Sequence, residues 1–172
     1  MGLDMYLSKK TYVKNWDYNE TNPKHFVSVK KDGTLRSDIK PERVSYIVEE
    51  VAYWRKFNAL HNYIVEKHAG GTDECQDIYV GLTDLEVIVE TLKEVLKSKP
   101  TPEGEVDNDA PDPEDILPTA SGFFFGSTDY DEYYYQDVED TINVLQPLID
   151  EVNRANEEHG MWGSEFVYRA SW

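Results

Sequence analysis

A chain of 172 residues that is 40% hydrophobic and 13% aromatic can build one full core, which excludes a disordered polymer and leaves no room for two comfortable domains. A formal net charge of -17 excludes general binding to nucleic acid or to an anionic membrane, and no apolar run approaches membrane-spanning length. The single cysteine, Cys75, excludes an internal disulfide and, beside Asp73 and Glu74, reads as a structural thiol.

The charge is polarised along the chain. Residues 1–60 carry 11 Lys and Arg against 8 Asp and Glu, whereas residues 61–172 carry 6 against 26. The amino-terminal residues Met1 to Met5 lack a basic segment followed by an apolar one, so the cytosol is the expected location.

Residues 2–12 alternate Leu3, Met5 and Leu7 against Asp4, Tyr6 and Ser8, the period of a half-buried first strand. Residues 15–24 are polar and read as a loop, 25–30 (with Phe26, Val27 and Val29) as a second strand, and Lys31-Asp32-Gly33-Thr34 as a hairpin turn. Lys40-Pro41-Glu42 opens a long helix expected to reach His68, stopped by Gly70-Gly71. On it Ile47, Val51, Trp54, Asn58, His61 and Val65 share one face, with Arg55 on the flank and Lys56 nearly opposite.

Residues 77–80 suit a short strand, and Thr83 with Glu86 a capping box opening a helix whose core face is Leu85, Ile88, Leu92 and Leu96. The Pro-rich acidic stretch 98–115 reads as a solvated loop. Its aspartates fail the calcium-loop pattern for want of the required glycine and terminal glutamate, so no metal is expected.

Residues 120–125, three consecutive phenylalanines between glycines, read as the central strand of the sheet. Gly126, Ser127 and Thr128 then form a turn that either caps the next helix or holds an anion on its first amides. That helix has Tyr134, Val138, Ile142, Leu145, Ile149 and Val152 on its core face, and Pro147 is expected to bend or end it. Residues 156–163 read as a loop, and 165–172, with Phe166, Tyr168, Ala170 and Trp172 alternating, as a final strand. The expected architecture is a single α+β domain, with an antiparallel-rich sheet of four or five strands and three helices on mainly one face.

Three stretches, Met-Gly-Leu-Asp-Met-Tyr-Leu at 1–7, Tyr-Trp-Arg-Lys-Phe-Asn-Ala-Leu-His at 53–61 and Leu-Pro-Thr-Ala-Ser-Gly-Phe-Phe-Phe-Gly-Ser-Thr-Asp-Tyr-Asp at 117–131, resemble a family of small proteins of tailed bacteriophages and bacteria. The resemblance implies a bacterial or infected-cell cytoplasm, where phage accessory proteins of this size counter host defences. It implies no catalytic residues.

Nucleophile elbows, phosphate loops, zinc-protease motifs and paired cysteines are missing, so neither catalytic residues nor a cofactor is expected. Two readings remain. The first is a non-enzymatic binder of a small anionic, nucleotide-like ligand, built from Arg55, Asn58, His61, Ser121, Gly126, Ser127 and Thr128. The alternative is an acidic protein that engages a basic host protein or mimics nucleic acid. Asn58 and His61, polar groups on an apolar stripe, must in either case find hydrogen-bond partners. The oligomeric state is left open by the sequence.

Overall fold

The computed structural model describes residues 2–15, 24–160 and 164–172. Its framework is a four-stranded antiparallel sheet in the order β4-β1-β6-β5, made from β1 (Asp4–Tyr12), β4 (Tyr46–Arg55), β5 (Ile78–Val80) and β6 (Ser164–Ser171). A separate hairpin joins β2 (Lys30–Lys31) to β3 (Thr34–Leu35). The helices are α1 (Asn58–His68), α2 (Leu82–Leu96), the single turn α3 (Pro113–Ile116) and α4 (Glu132–His159). The α+β class and the antiparallel sheet agree with the sequence reading. Among the described residues no helix is long and apolar enough to cross a membrane.

Alternation in β1 and β6 sends one set of side chains into the core. Met5, Leu7, Phe166, Tyr168 and Ala170 are buried, joined by Ala52 and Trp54 of β4 and by Ile78 and Val80 of β5. Over them lie the apolar faces of α1, α2 and α4, with Leu60, Ile64, Leu85, Leu92, Val138, Leu145 and Ile149 in one continuous cluster. The opposite sheet face carries Tyr6 against Tyr53, ring centroids 5.2 Å apart, and Tyr12 against Tyr46 at 5.1 Å. At the border of the core Lys9 reaches both Glu49 (3.0 Å) and Glu151 (3.2 Å), tying β1 to β4 and α4.

Several expectations are corrected. The helix expected from Lys40 to His68 is a single 3-10 turn (Pro41–Arg43), then β4, then the shorter α1. A bulge explains the misreading. Leu7 pairs with Ala52 but Ser8 with Glu50, so Val51 is an extra residue that shifts the phase of β4. Ile47 and Glu49 face the helices before it and Ala52 and Trp54 after it. The shift spaces Ile47, Val51 and Trp54 as a helix would.

Residues 25–30 supply no sheet strand beyond Lys30 in the hairpin; Phe26 is 90% exposed, and both edges of β1 are already taken by β4 and β6. The hairpin turn itself forms at Asp32 and Gly33, both at positive φ (49° and 80°), as a type I′ turn requires. Residues 120–125 are not a strand. The central positions belong to β1 and β6, and the phenylalanines form a tight turn.

The cap of helix α2 lies two residues earlier than the expected Thr83–Glu86 box, at Gly81, whose N–H donates to the Asp84 carboxylate at 2.8 Å. Asp131, and neither Ser127 nor Thr128, caps α4, its carboxylate accepting from the Tyr134 N–H at 3.1 Å. Pro147 does not end α4, which runs to His159 through the first half of the expected 156–163 loop. The carbonyl it deprives of a partner, that of Asn143, belongs to an exposed residue on the solvent side of the helix. The loop expected over 15–24 and the end of that over 156–163 lie largely outside the described residues.

The stretch 100–109 is exposed throughout, whereas Ser98 and Leu117 at its borders are buried. Replacing residues 102–109 by a four-residue Gly-Ser linker therefore leaves the urea midpoint essentially unchanged. Leu117→Ala lowers stability by about 2–5 kcal/mol, the usual range for emptying a buried leucine site.

Candidate functional site

The junction between β4 and α1 is sharp. Lys56 adopts φ 62°, donates its N–H to the Leu3 carbonyl at 2.8 Å and accepts from the Asn58 N–H at 2.9 Å. This turn places Asn58 at the start of α1, facing the 117–131 loop. Its Nδ2 donates to the carbonyls of Phe125 (3.1 Å) and Ser127 (2.8 Å), and its Oδ1 accepts from the Ala120 N–H at 3.0 Å. One side chain, 3% exposed, thereby replaces the sheet bonds the loop does not make.

Further bonds fix the loop. The Tyr134 hydroxyl donates to the Leu117 carbonyl at 2.9 Å, the Thr119 hydroxyl donates to the Thr128 carbonyl at 2.9 Å, and the Thr119 N–H donates to the Tyr130 oxygen at 3.2 Å. Gly126, at φ 96°, lies so close to Lys56 that a Cβ would stand 3.2 Å from the Lys56 Cβ.

Between this loop, the β4–α1 junction and the start of α4 is a cleft of about 300 Å³. Arg55, Lys56, Asn58, Thr119, Gly126 and Ser127 line one part, and Asp129, Asp131, Tyr133 and Asp137 another. Of the residues expected at a site, the fold brings Arg55, Asn58, Gly126 and Ser127 together here.

Ser121 and Thr128 are exposed and do not line the cleft. His61 points elsewhere, with Nδ1 2.7 Å from the Tyr168 hydroxyl and Nε2 2.9 Å from Asp73. One assignment uses every proton: Tyr168 donates to Nδ1, and Nε2–H donates to Asp73. Burial, and then the Asp73 charge, push the Tyr168 phenol above its ordinary range, so it keeps its proton.

The cleft's electrostatics are uneven. Among the described residues neither the Arg55 guanidinium nor the Lys56 ammonium has a hydrogen-bond or ion-pair partner, although both side chains lie within 4 Å of the point where a Gly2 Cβ would stand. Asp137, half-buried, has its carboxyl pushed up to about 6 from 3.8, first by burial and then by the charges of Asp140 and Asp131. Of the first amides of α4, that of Tyr134 is engaged by the Asp131 carboxylate, and the helix begins at Glu132, four residues beyond Thr128.

Sequence reasoning missed Lys56, Asp131 and Asp137. For Asp137 a signal existed, since it lies three residues after Tyr134 and four before Thr141, both buried. No sequence signal marks Lys56, because its position depends on a left-handed conformation at a non-glycine residue. Among the described residues no group of three or more His, Cys, Asp or Glu side chains could hold a metal ion. The chain matches no protein-family model, no curated protein and no solved structure.

Two outcomes follow from the geometry. Asn58→Ala orphans one N–H and two carbonyls and lowers stability by about 2 kcal/mol or more, read by urea denaturation. For Asp137 the folded pKa lies above the unfolded one, so its stabilising contribution is full below about pH 4 and is lost as pH rises through about 6. Asp137→Asn consequently raises stability at pH 7.5 by on the order of 1 kcal/mol, a figure discounted for partial exposure, with the gain gone at pH 4.

Proposed function

We propose that the protein is a non-enzymatic binder of a small anionic ligand held in the cleft by Arg55 and Lys56. The observation that carries this reading is that two adjacent cations line a concave site and, among the described residues, neither is held by a hydrogen bond or an ion pair. Two such neighbours repel each other, and an anion between them relieves the repulsion while gaining charge-assisted hydrogen bonds. The planar Arg55 fork suits a phosphate or carboxylate. The carboxyl groups of Asp131 and Asp137, in the same lining, are purely acceptors when ionised, and they suit hydroxyl or amine donors on the same ligand. Asn58 positions the loop and does not touch the ligand, since its amide is engaged within the protein. In an infected bacterium, such a protein acts as a phage accessory factor that sequesters a small anionic signal of the host.

A second reading has its own observation. Glu86, Glu90 and Glu94 recur at one-turn spacing along a groove of about 510 Å³ that also exposes Val87 and meets Ile116. That stripe suits a basic segment of a host protein.

The cleft reading is tested by thermal shift with inorganic phosphate and ribose 5-phosphate as probes. Both raise the melting temperature of the parent protein. Arg55→Ala leaves unliganded stability within about 1 kcal/mol, as befits an exposed side chain, and abolishes the rise. Unchanged melting of the parent with both probes refutes the reading.

A further inference from the structure

The loop above the cleft carries a backbone conformation that its sequence disfavours. The Phe125 N–H donates to the Gly122 carbonyl at 3.2 Å, closing a four-residue turn whose third residue, Phe124, has φ 72°. A positive φ at that position belongs to type II turns, where glycine or asparagine is the rule, and for a bulky aromatic it is an outlier. Gly122 permits the turn because the inward Phe125 ring lies where its Cβ would be, 2.5 Å from the nearest ring atom.

The two residues at the apex bury little in exchange. Phe123 is 82% exposed and Phe124 41%, their ring centroids 4.1 Å apart, whereas Phe125 packs edge-on against His61. Strain and exposed aromatic surface together are costs to folding, and such strain persists where the side chain has another use.

The apex is joined to the cleft through Leu3. Its N–H donates to the Phe124 carbonyl at 3.4 Å, and its carbonyl accepts from the Lys56 N–H. Phe124 thus lies two backbone spacings from Lys56, roughly 10 Å. Phe123 and Phe124 do not line the cleft, but this run of backbone bonds links their exposed rings to the wall that carries Arg55 and Lys56, with the carboxylates of Asp129, Asp131 and Asp137 in the same lining.

From this juxtaposition we infer that the ligand is an aromatic anion of the nucleoside monophosphate class, with phosphate on Arg55 and Lys56, ribose hydroxyls toward Asp131 and Asp137, and the base stacked on Phe123 or Phe124. Each part meets the group its chemistry requires. A phosphate takes the guanidinium fork, a sugar hydroxyl donates to a carboxylate, and a base covers an aromatic face in place of water. The volume, about 300 Å³, lies at the small end of ligand sites, which suits one nucleotide with its base at the rim. This inference rests on the anion-binding reading of the same cleft and adds the aromatic half of the ligand.

Calorimetric titration with inorganic phosphate, ribose 5-phosphate and the four common nucleoside monophosphates tests it. At least one nucleotide binds about tenfold or more tightly than ribose 5-phosphate, the increment expected of one stacked base. Phe124→Gly combined with Phe123→Ala erases that advantage without weakening ribose 5-phosphate. Phe124→Gly alone melts at the same or a higher temperature than the parent, so the lost affinity is not a folding defect. If ribose 5-phosphate binds in an Arg55-dependent manner and no nucleotide binds better, the anion site stands and the nucleotide inference falls. A nucleotide advantage that survives both phenylalanine substitutions also overturns it. If no probe binds, or if binding survives Arg55→Ala, both readings fall together.

Discussion

A single buried amide holds this architecture at its least regular point. Residues 117–131 cross the molecule without a ladder of strand hydrogen bonds, and such a segment must still satisfy its buried backbone groups. Asn58 meets that requirement at three places, Ala120, Phe125 and Ser127, from the first turn of α1. Because α1 is itself anchored in the core through Leu60, Ile64 and Val65, the loop inherits the rigidity of the helix. The cleft wall, the tight approach of Gly126 to Lys56 and the turn at Phe124 all lie within this stapled region. A serine or leucine at position 58 could match neither the reach nor the number of bonds.

The regular elements were legible because their periodicity is undisturbed. Strands β1 and β6 alternate cleanly, and the core stripes of α2 and α4 repeat at helical spacing, so their burial follows from the sequence. Strand β4 was not legible, because the extra residue Val51 moves its second half out of phase and imitates a helical stripe. The phenylalanine run failed differently. An unbroken apolar run carries no information about direction, and here one ring goes inward while two go outward, a division made by Gly122 and by a positive φ that no propensity would assign to Phe124.

The candidate site shows the same division. Arg55, Asn58, Gly126 and Ser127 were brought together as expected because two separate segments each carried local polar signals. The cleft's other half depended on long-range placement. Asp137 gains its raised pKa from burial beside two other carboxylates, and Lys56 owes its direction to the reversal between β4 and α1. His61 was read onto the same face as Asn58, but three residues along the helix its two ring nitrogens are engaged by Tyr168 of β6 and by Asp73.

The position of β6 between β1 and β5 has a consequence for the order of assembly during synthesis. Strand β1 can pair with β4 as soon as residue 55 has left the ribosome, but its other edge waits for residues 164–171. At typical elongation rates of 5–20 residues per second, that interval of more than a hundred residues lasts roughly 5–20 s. Throughout it, the β1–β4 pair presents Met5 and Leu7 on one face and an open hydrogen-bonding edge to its surroundings. The four-stranded sheet therefore closes only after translation has passed β6, and until then the exposed edge is open to pairing with other chains.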